Sequence, residues 1–271
     1  MAQDNLIKYL HKLTGFTSKI FNSLVTQTNN RFHHLAESIT KRMEAKKKQT
    51  PSEIPSNFKL RLISGIVMMS VGVFAILFSK TLFFALAILI TILMTYEWME
   101  ITKSVSLNRK LKWNLIGFTY ILLPIFSALE LRETNSIILL WMFAVVAVTD
   151  IFAYFTGKNF GGPKLMPDVS PNKTWSGLAG AVLATLVIGV LSSLMFSGGV
   201  LFFVTISVVL SLFSQAGDLL ESKLKRSFEV KDSSNIIPGH GGVLDRLDGM
   251  MVVAPITLLL VWIFPLEFIS R

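Results

Sequence analysis

Five carboxylates stand where long apolar runs make carboxylates costly: Asp150, Asp218, Glu221, Asp245 and Asp248. Ionisable groups at membrane depth are expensive and mark functional positions by default. Asp150 interrupts the apolar run from Thr134 to Thr156, Asp218 and Glu221 close the run Thr174–Gly217, and Asp248 opens the run Gly249–Leu266. Asp218, Glu221, Ser222 and Lys225 fall at i, i+3, i+4 and i+7, which puts them on one helical face. Asp245 and Asp248 share a face if the last helix begins near Asp245. In a chain without cysteine, carboxylate oxygens suit a hard cation such as Mg2+, which takes one or two carboxylates together with waters and substrate phosphates. The candidate ligands are Asp218, Asp245 and Asp248. A blander reading makes Asp245-Arg246-x-Asp248 a helix N-terminus with dipole-favoured acids and a local ion pair. Acids at a similar depth on three helix ends favour a site.

Two loops carry the complementary chemistry. The segment 222–242 holds Lys223, Lys225, Arg226 and Lys231 as countercharge for phosphates, with Asp232 beside them. It ends in Gly239-His240-Gly241-Gly242, where backbone N–H groups can approach an anion closely ahead of a helix N-terminus. His240 is the only histidine outside the N-terminal 34 residues; it either donates to a phosphate or orders the turn, and the sequence leaves both open. The loop at 157–176 contains Gly157, Lys158, Gly161 and Gly162, then Ser170-Pro171-Asn172-Lys173-Thr174-Trp175. On its own it reads equally as a turn on the positively charged side of a membrane. Gly177 and Gly180, each followed four residues later by alanine, mark close helix packing. Glu97, after the second apolar run, is either an interfacial acid or a cap on the site.

These residues need a membrane scaffold. The 271-residue chain is 52% hydrophobic and only 16% charged, with a mean hydropathy of +0.58. A soluble domain carries roughly 25% charge, so an ordinary cytosolic globule is excluded. A spanning helix needs about 20 apolar residues. Runs of that order occur at 62–79, 81–96, 113–129, 134–149 and 249–266. The run 174–217 has room for two spans turning at Ser197-Gly198-Gly199. The expectation is an all-α integral membrane protein, a polytopic bundle of about seven transmembrane helices, in which the first pair could instead be partly re-entrant. With the N-terminus inside, twelve loop Lys and Arg residues fall on the inner side and three on the outer. That bias turns both chemistry-rich loops to the cytosol.

Residues 1–58 form a separate basic arm, expected to precede a transmembrane domain at 59–271. Residues 1–61 carry eleven Lys and Arg against four Asp and Glu, out of a net charge of +9. Leu6, Leu10, Leu13, Ile20 and Leu24 recur at helical spacing, as do Phe32, Leu35, Ile39 and Met43. The arm reads as helices lying on an anionic leaflet or as a basic tail. It has no apolar core of the kind that marks a secretory signal. His11, His33 and His34 are read as surface residues.

The stretch Ser222-x-Leu224-Lys225-Arg226-x4-Lys231-Asp232-x4-Ile237-Pro238-Gly239-His240-Gly241-Gly242-Val243-x-Asp245-Arg246-Leu247-Asp248 closely resembles the signature of phosphatidate cytidylyltransferases. Asp150-x2-Ala153-Tyr154-x2-Gly157, Ser170-Pro171-x-Lys173-Thr174 and Gly217-Asp218-x2-Glu221-Ser222 are similar to the same family. The resemblance is firm over 148–255 and does not cover the arm. It departs at Ser176, where many members carry an acid. The resemblance implies transfer of the cytidylyl group of CTP to phosphatidate in a bacterial-type inner membrane, with Mg2+ and a monovalent cation such as K+, and a homodimer. Asp218 and Asp248 then hold metal with Asp245 close by. Asp218, Asp245, Asp248 and Lys225 are the catalytic candidates. Substrate contacts fall to Asp150, Ser170, Lys173, Arg226, Lys231, Asp232, His240, Gly241, Gly242 and Arg246. No nucleic-acid partner is expected.

Two other classes share parts of the pattern. A CTP-dependent kinase or cytidylyltransferase acting on another lipid would have the same nucleotide site, because lipid specificity lies in spans without a readable code. An ion-coupled transporter would also bury acids, but near the bilayer midplane in broken helices. Here they cluster toward one end, beside glycine loops.

Overall fold

The computed structural model describes residues 56–234, 236 and 241–270, with side chains from Gly65 onward. Residues 1–55 of the basic arm, Gly239 and His240 lie outside the described residues. Hydrocarbon offers backbone polar groups no partner, so each apolar run closes its hydrogen bonds internally as a helix. Among the described residues there are seven helices: α1 (Ser56–Phe78), α2 (Lys80–Ile101), α3 (Leu107–Thr134), α4 (Ser136–Phe160), α5 (Trp175–Met195), α6 (Val200–Ser227) and α7 (Leu244–Ile263). The last six are long and apolar enough to cross a membrane, whereas the apolar part of α1 is the shorter stretch Gly65–Phe78. This is the expected polytopic bundle. At 22 residues α2 is long enough to cross alone, and the long run 174–217 breaks at Ser197–Gly199 into α5 and α6.

Capping residues set where the chain turns. Single residues separate α1 from α2 and α3 from α4. The Ser79 hydroxyl accepts from the Leu82 amide (3.2 Å), and the Asn135 side chain accepts from the Ile137 amide (2.9 Å). Both satisfy helix-end donors that would otherwise lack a partner. Thr174 does the same for α5, accepting from the Gly177 amide at 3.1 Å.

The loop between α4 and α5 holds one element that hydropathy does not suggest. β1 (Lys164–Met166) and β2 (Ser170–Thr174) form an antiparallel hairpin, with Lys164 opposite Thr174 at its base and Met166 opposite Ser170 near its turn. The helices pack as α4 on α5, α5 on α6, α6 on α7 and α7 on α3, with α2 against α3. The larger core gathers Trp141, Phe196, Phe203, Leu210 and Phe268 around α4, α6 and α7. A second core joins Met94, Trp98 and Ile101 of α2 to Ile121 of α3 and to Val243, Leu244 and Met251 at the start of α7. Outward faces are apolar: Phe84, Ile92, Phe118, Leu183 and Leu194 are each more than half exposed, the pattern of a lipid-facing surface.

Candidate active site

α6 and α7 cross where each carries a glycine. A methyl group on Gly217 would stand 2.9 Å from the Asp248 carbonyl oxygen, and one on Gly249 would stand 2.5 Å from the Ser214 hydroxyl. Hydrogen alone fits both places, so the backbones approach closely. Asp218 and Asp248, each adjacent to one of these glycines, thereby share the seam. Gly177 and Gly180 act alike between α5 and α4, with the Ala153 carbonyl and the Thr156 side chain where their methyl groups would be.

Asp218 forms an ion pair with Lys173 from the base of the hairpin and accepts from the Ser222 hydroxyl at 3.4 Å. Asp150, exposed although it lies within a membrane-spanning helix, accepts from Gln215 at 3.3 Å. Asp248 accepts from the Gly249 amide at 2.7 Å. Asp150, Asp218 and Glu221 all lie within electrostatic reach of Asp248. The seam thus concentrates negative charge, and Lys173 answers part of it.

One helical turn away is a second polar group. Lys225 pairs with Glu221 (3.0 Å) and with Asp245. Asp245 also accepts from the amides of Ser233 (3.0 Å) and Gly242 (2.9 Å), so its two oxygens tie both residues to the ion pair with α6. The side chains of Glu221, Lys225 and Asp245 are all at least nine-tenths buried. Gly241 sits at φ +85°, where a side chain is strained. At Gly242 a methyl group would collide with the Ser233 hydroxyl and the Glu97 carboxylate.

The structure gives Glu97, ambiguous in sequence, a definite place. Fully buried, it accepts from the hydroxyls of Ser233 (3.1 Å) and Ser234 (2.6 Å) and from the amides of Val243 and Leu244 (both 2.8 Å). A carboxylate is favoured there because the first amides of a helix lack partners within it. Tyr120 is a second residue that sequence reading passed over: its hydroxyl donates to Glu221 at 3.4 Å. No spacing rule links it to an acid 101 positions away.

The remaining candidates are less concentrated. Ser170 stands near the turn of the hairpin, away from the base that supplies Lys173. Arg226, Lys231, Asp232 and Arg246 are exposed, Arg226 donating to the Val230 carbonyl at 3.1 Å. His240 falls outside the described residues. Ser176, the position at which the resemblance departs, hydrogen-bonds Thr174 (3.0 Å) and the Gly161 carbonyl. It ties the ends of the hairpin loop together.

Among the described residues, no three acidic or imidazole groups stand together as a complete metal cage. The donor set nevertheless fits a hard divalent cation, which uses one or two carboxylates and keeps waters and phosphates. The Lys173 ammonium beside Asp218 marks a place where positive charge is already held. Alongside the acids, between α3 and α7, runs a groove of about 510 Å3 lined by Leu115, Ile116, Thr119, Tyr120, Leu123 and Met251, among others. Its lining is mostly apolar, and Tyr120 connects it to Glu221.

The model of the cytidylyltransferase family matches residues 113–264. The chain is 41% identical to a phosphatidate cytidylyltransferase of Rickettsia typhi over 222 residues, covering 78% of this chain and 95% of that one. It is 42% identical to the enzyme of that name from Rickettsia bellii over 212 residues (74% and 89%). With the Brucella abortus enzyme of that name it shares 34% identity over 256 residues (77% and 95%).

Proposed function

This chain belongs to the cytidylyltransferase family, and we infer that its chemistry takes place on the seam between α6 and α7. It is a multi-pass membrane enzyme that transfers the cytidylyl group of CTP to phosphatidate. A phosphate oxygen of phosphatidate bonds to the α-phosphorus of CTP, the bond from that phosphorus to the bridging oxygen breaks, and pyrophosphate leaves. The product is CDP-diacylglycerol. The nucleophile is a phosphomonoester already largely ionised near neutral pH. The protein therefore has little proton abstraction to do, and its work is alignment and charge neutralisation.

The observation that carries this reading is the juxtaposition of Asp218 and Asp248 across the glycine crossing, with Lys173 against Asp218. Asp218 and Asp248 would hold Mg2+, with Asp150 nearby; when bound, the ion neutralises triphosphate charge and favours departure of pyrophosphate. Lys173, Arg226, Lys231 and Arg246 supply further countercharge to phosphates. We assign Asp245 and Lys225 to holding the loop that faces the nucleotide, since their polar atoms are already engaged. The α3–α7 groove suits the apolar end of phosphatidate, with Tyr120 and Glu221 marking its polar end. The site faces the cytosol of a bacterial cell on this reading, supported by the Lys and Arg bias of the loops. A monovalent cation and a homodimer belong to the same reading on resemblance alone.

The test is formation of labelled CDP-diacylglycerol from labelled CTP, phosphatidate and Mg2+ by the purified full chain. Product with phosphatidate supports the reading. Product only with another lipid acceptor would move the chain to a different lipid, and no CTP turnover with any lipid would remove the activity.

A further inference from the structure

Glu97 lies outside the groups assigned above to substrate or metal, yet it has more hydrogen-bonding partners than any other carboxylate described here. It sits near the end of α2, and its four partners come from residues 136 to 147 positions later in the chain. Its own helix end is fixed independently. Trp98 packs its ring over Gly117 of α3 and donates to the Trp113 carbonyl at 3.1 Å. Met94, Trp98 and Ile101 enter the second core alongside Leu244 and Met251. Glu97 is therefore a rigidly mounted acceptor, not a surface acid that has folded inward.

The partners of Glu97 are the two ends of one loop. Ser233 and Ser234 lie six and seven residues past the end of α6, and Val243 and Leu244 are where the chain becomes α7. Asp245 holds the same two ends from the other side, through the Ser233 and Gly242 amides, and is itself tied to Lys225. Asp248 lies one helical turn beyond Leu244. The height and rotation of that first turn set where the Asp248 carboxylate meets Asp218.

We propose that Glu97 is a positioning residue for the cytidylyl transfer: its carboxylate clasps both ends of the 233–243 loop and fixes the first turn of α7, so that Asp248 is held in register with Asp218. This rests on the reading of Asp218 and Asp248 as the reacting site. A glutamine cannot replace Glu97, because its amide nitrogen would turn a donor toward donors. An aspartate keeps the charge on a shorter arm and satisfies part of the set.

The experiment compares the full chain with Glu97→Gln, Glu97→Asp and a Ser233→Ala/Ser234→Ala double variant in detergent. It measures kcat, the KM for each substrate, thermal unfolding and amide exchange by mass spectrometry. Glu97→Gln should lower kcat about 10-fold to 100-fold, the scale of a misplacement of an ångström or less, with both KM values within about threefold. Exchange should rise in peptides covering 241–248 and stay unchanged in those covering 205–215. Glu97→Asp should recover part of kcat. The serine variant should move kcat and exchange the same way by less, and it decides the matter if Glu97→Gln does not fold. Wild-type kcat, or unchanged exchange over 241–248, in the folded variant overturns the proposal. So does a loss confined to KM, which would make Glu97 a substrate contact. Asp248→Asn is measured in parallel. If it keeps wild-type kcat, the placement of the site has failed, separately from the clasp.

Discussion

Lys225 on α6 reaches across to Asp245 on α7 and forms an ion pair while holding Glu221 on its own helix at 3.0 Å. The three charges are buried together, so the pair links α6 to the start of α7 and leaves none of them solvated. Removing one member of a buried pair typically costs about 3–5 kcal/mol, because the partner keeps its charge without compensation. Lys225→Met should therefore lower the thermal unfolding temperature clearly, and Asp245→Asn should do so too. Unfolding curves in one detergent check this. Loss of activity at unchanged stability would return Lys225 to a role at the substrate.

Asp218 and Asp248 should behave in the opposite way. Asn at either position keeps volume but removes the charge a cation requires. Each change should lower kcat by at least about 10²-fold, the scale of one lost preorganised electrostatic contact. The double variant should cost much less than the product of the two, since residues acting as a unit are non-additive. Asp168, exposed in the hairpin turn, is the control, and Asp168→Asn should stay within a few-fold. Similar activity of Asp248→Asn and Asp168→Asn would take Asp248 out of the site.

Metal dependence follows from the chemistry of the donors. With carboxylates as the protein ligands, turnover should disappear in EDTA and return on adding excess Mg2+. Full turnover in chelator would mean that Asp218 and Asp248 work without a divalent ion.

Crowding the helix crossing tests the geometry directly. Gly217→Ala pushes a methyl group to 2.9 Å from the Asp248 carbonyl, so α6 and α7 must separate or shear. Overpacking of this kind costs about 1–3 kcal/mol. Both unfolding temperature and kcat should fall. Gly72, which has open space around it, gives the comparison, and Gly72→Ala should be silent.

The groove makes a prediction about one substrate only. Ile116→Trp fills space in the groove between α3 and α7, whose lining includes none of the acids. It should raise the KM for phosphatidate severalfold while leaving the KM for CTP near its starting value. Equal effects on both would mean that the groove does not receive the lipid.

Much of this protein is legible without coordinates, because a membrane narrows the choices. Lipid forces apolar runs into helices, so run length and turn residues located the spans through α7 and the break at Ser197–Gly199. The same economy made Asp150, Asp218, Glu221 and Asp248 conspicuous, since each interrupts or borders an apolar run. What could not be read is whatever depends on a partner far along the chain. The hairpin at 164–174 is short and polar, with no alternation to announce a strand. Glu97 is one acid at the end of one span, and its meaning lies in amides and hydroxyls some 140 residues away. Lys225 and Asp245 read as phosphate and metal groups from their types alone, and that they pair with each other depends on packing. Hydropathy is a local property that the bilayer acts on residue by residue. The pairing of carboxylates with loop amides is set by how closely α6 and α7 cross, and that distance exists only once Gly217 and Gly249 have met their neighbours.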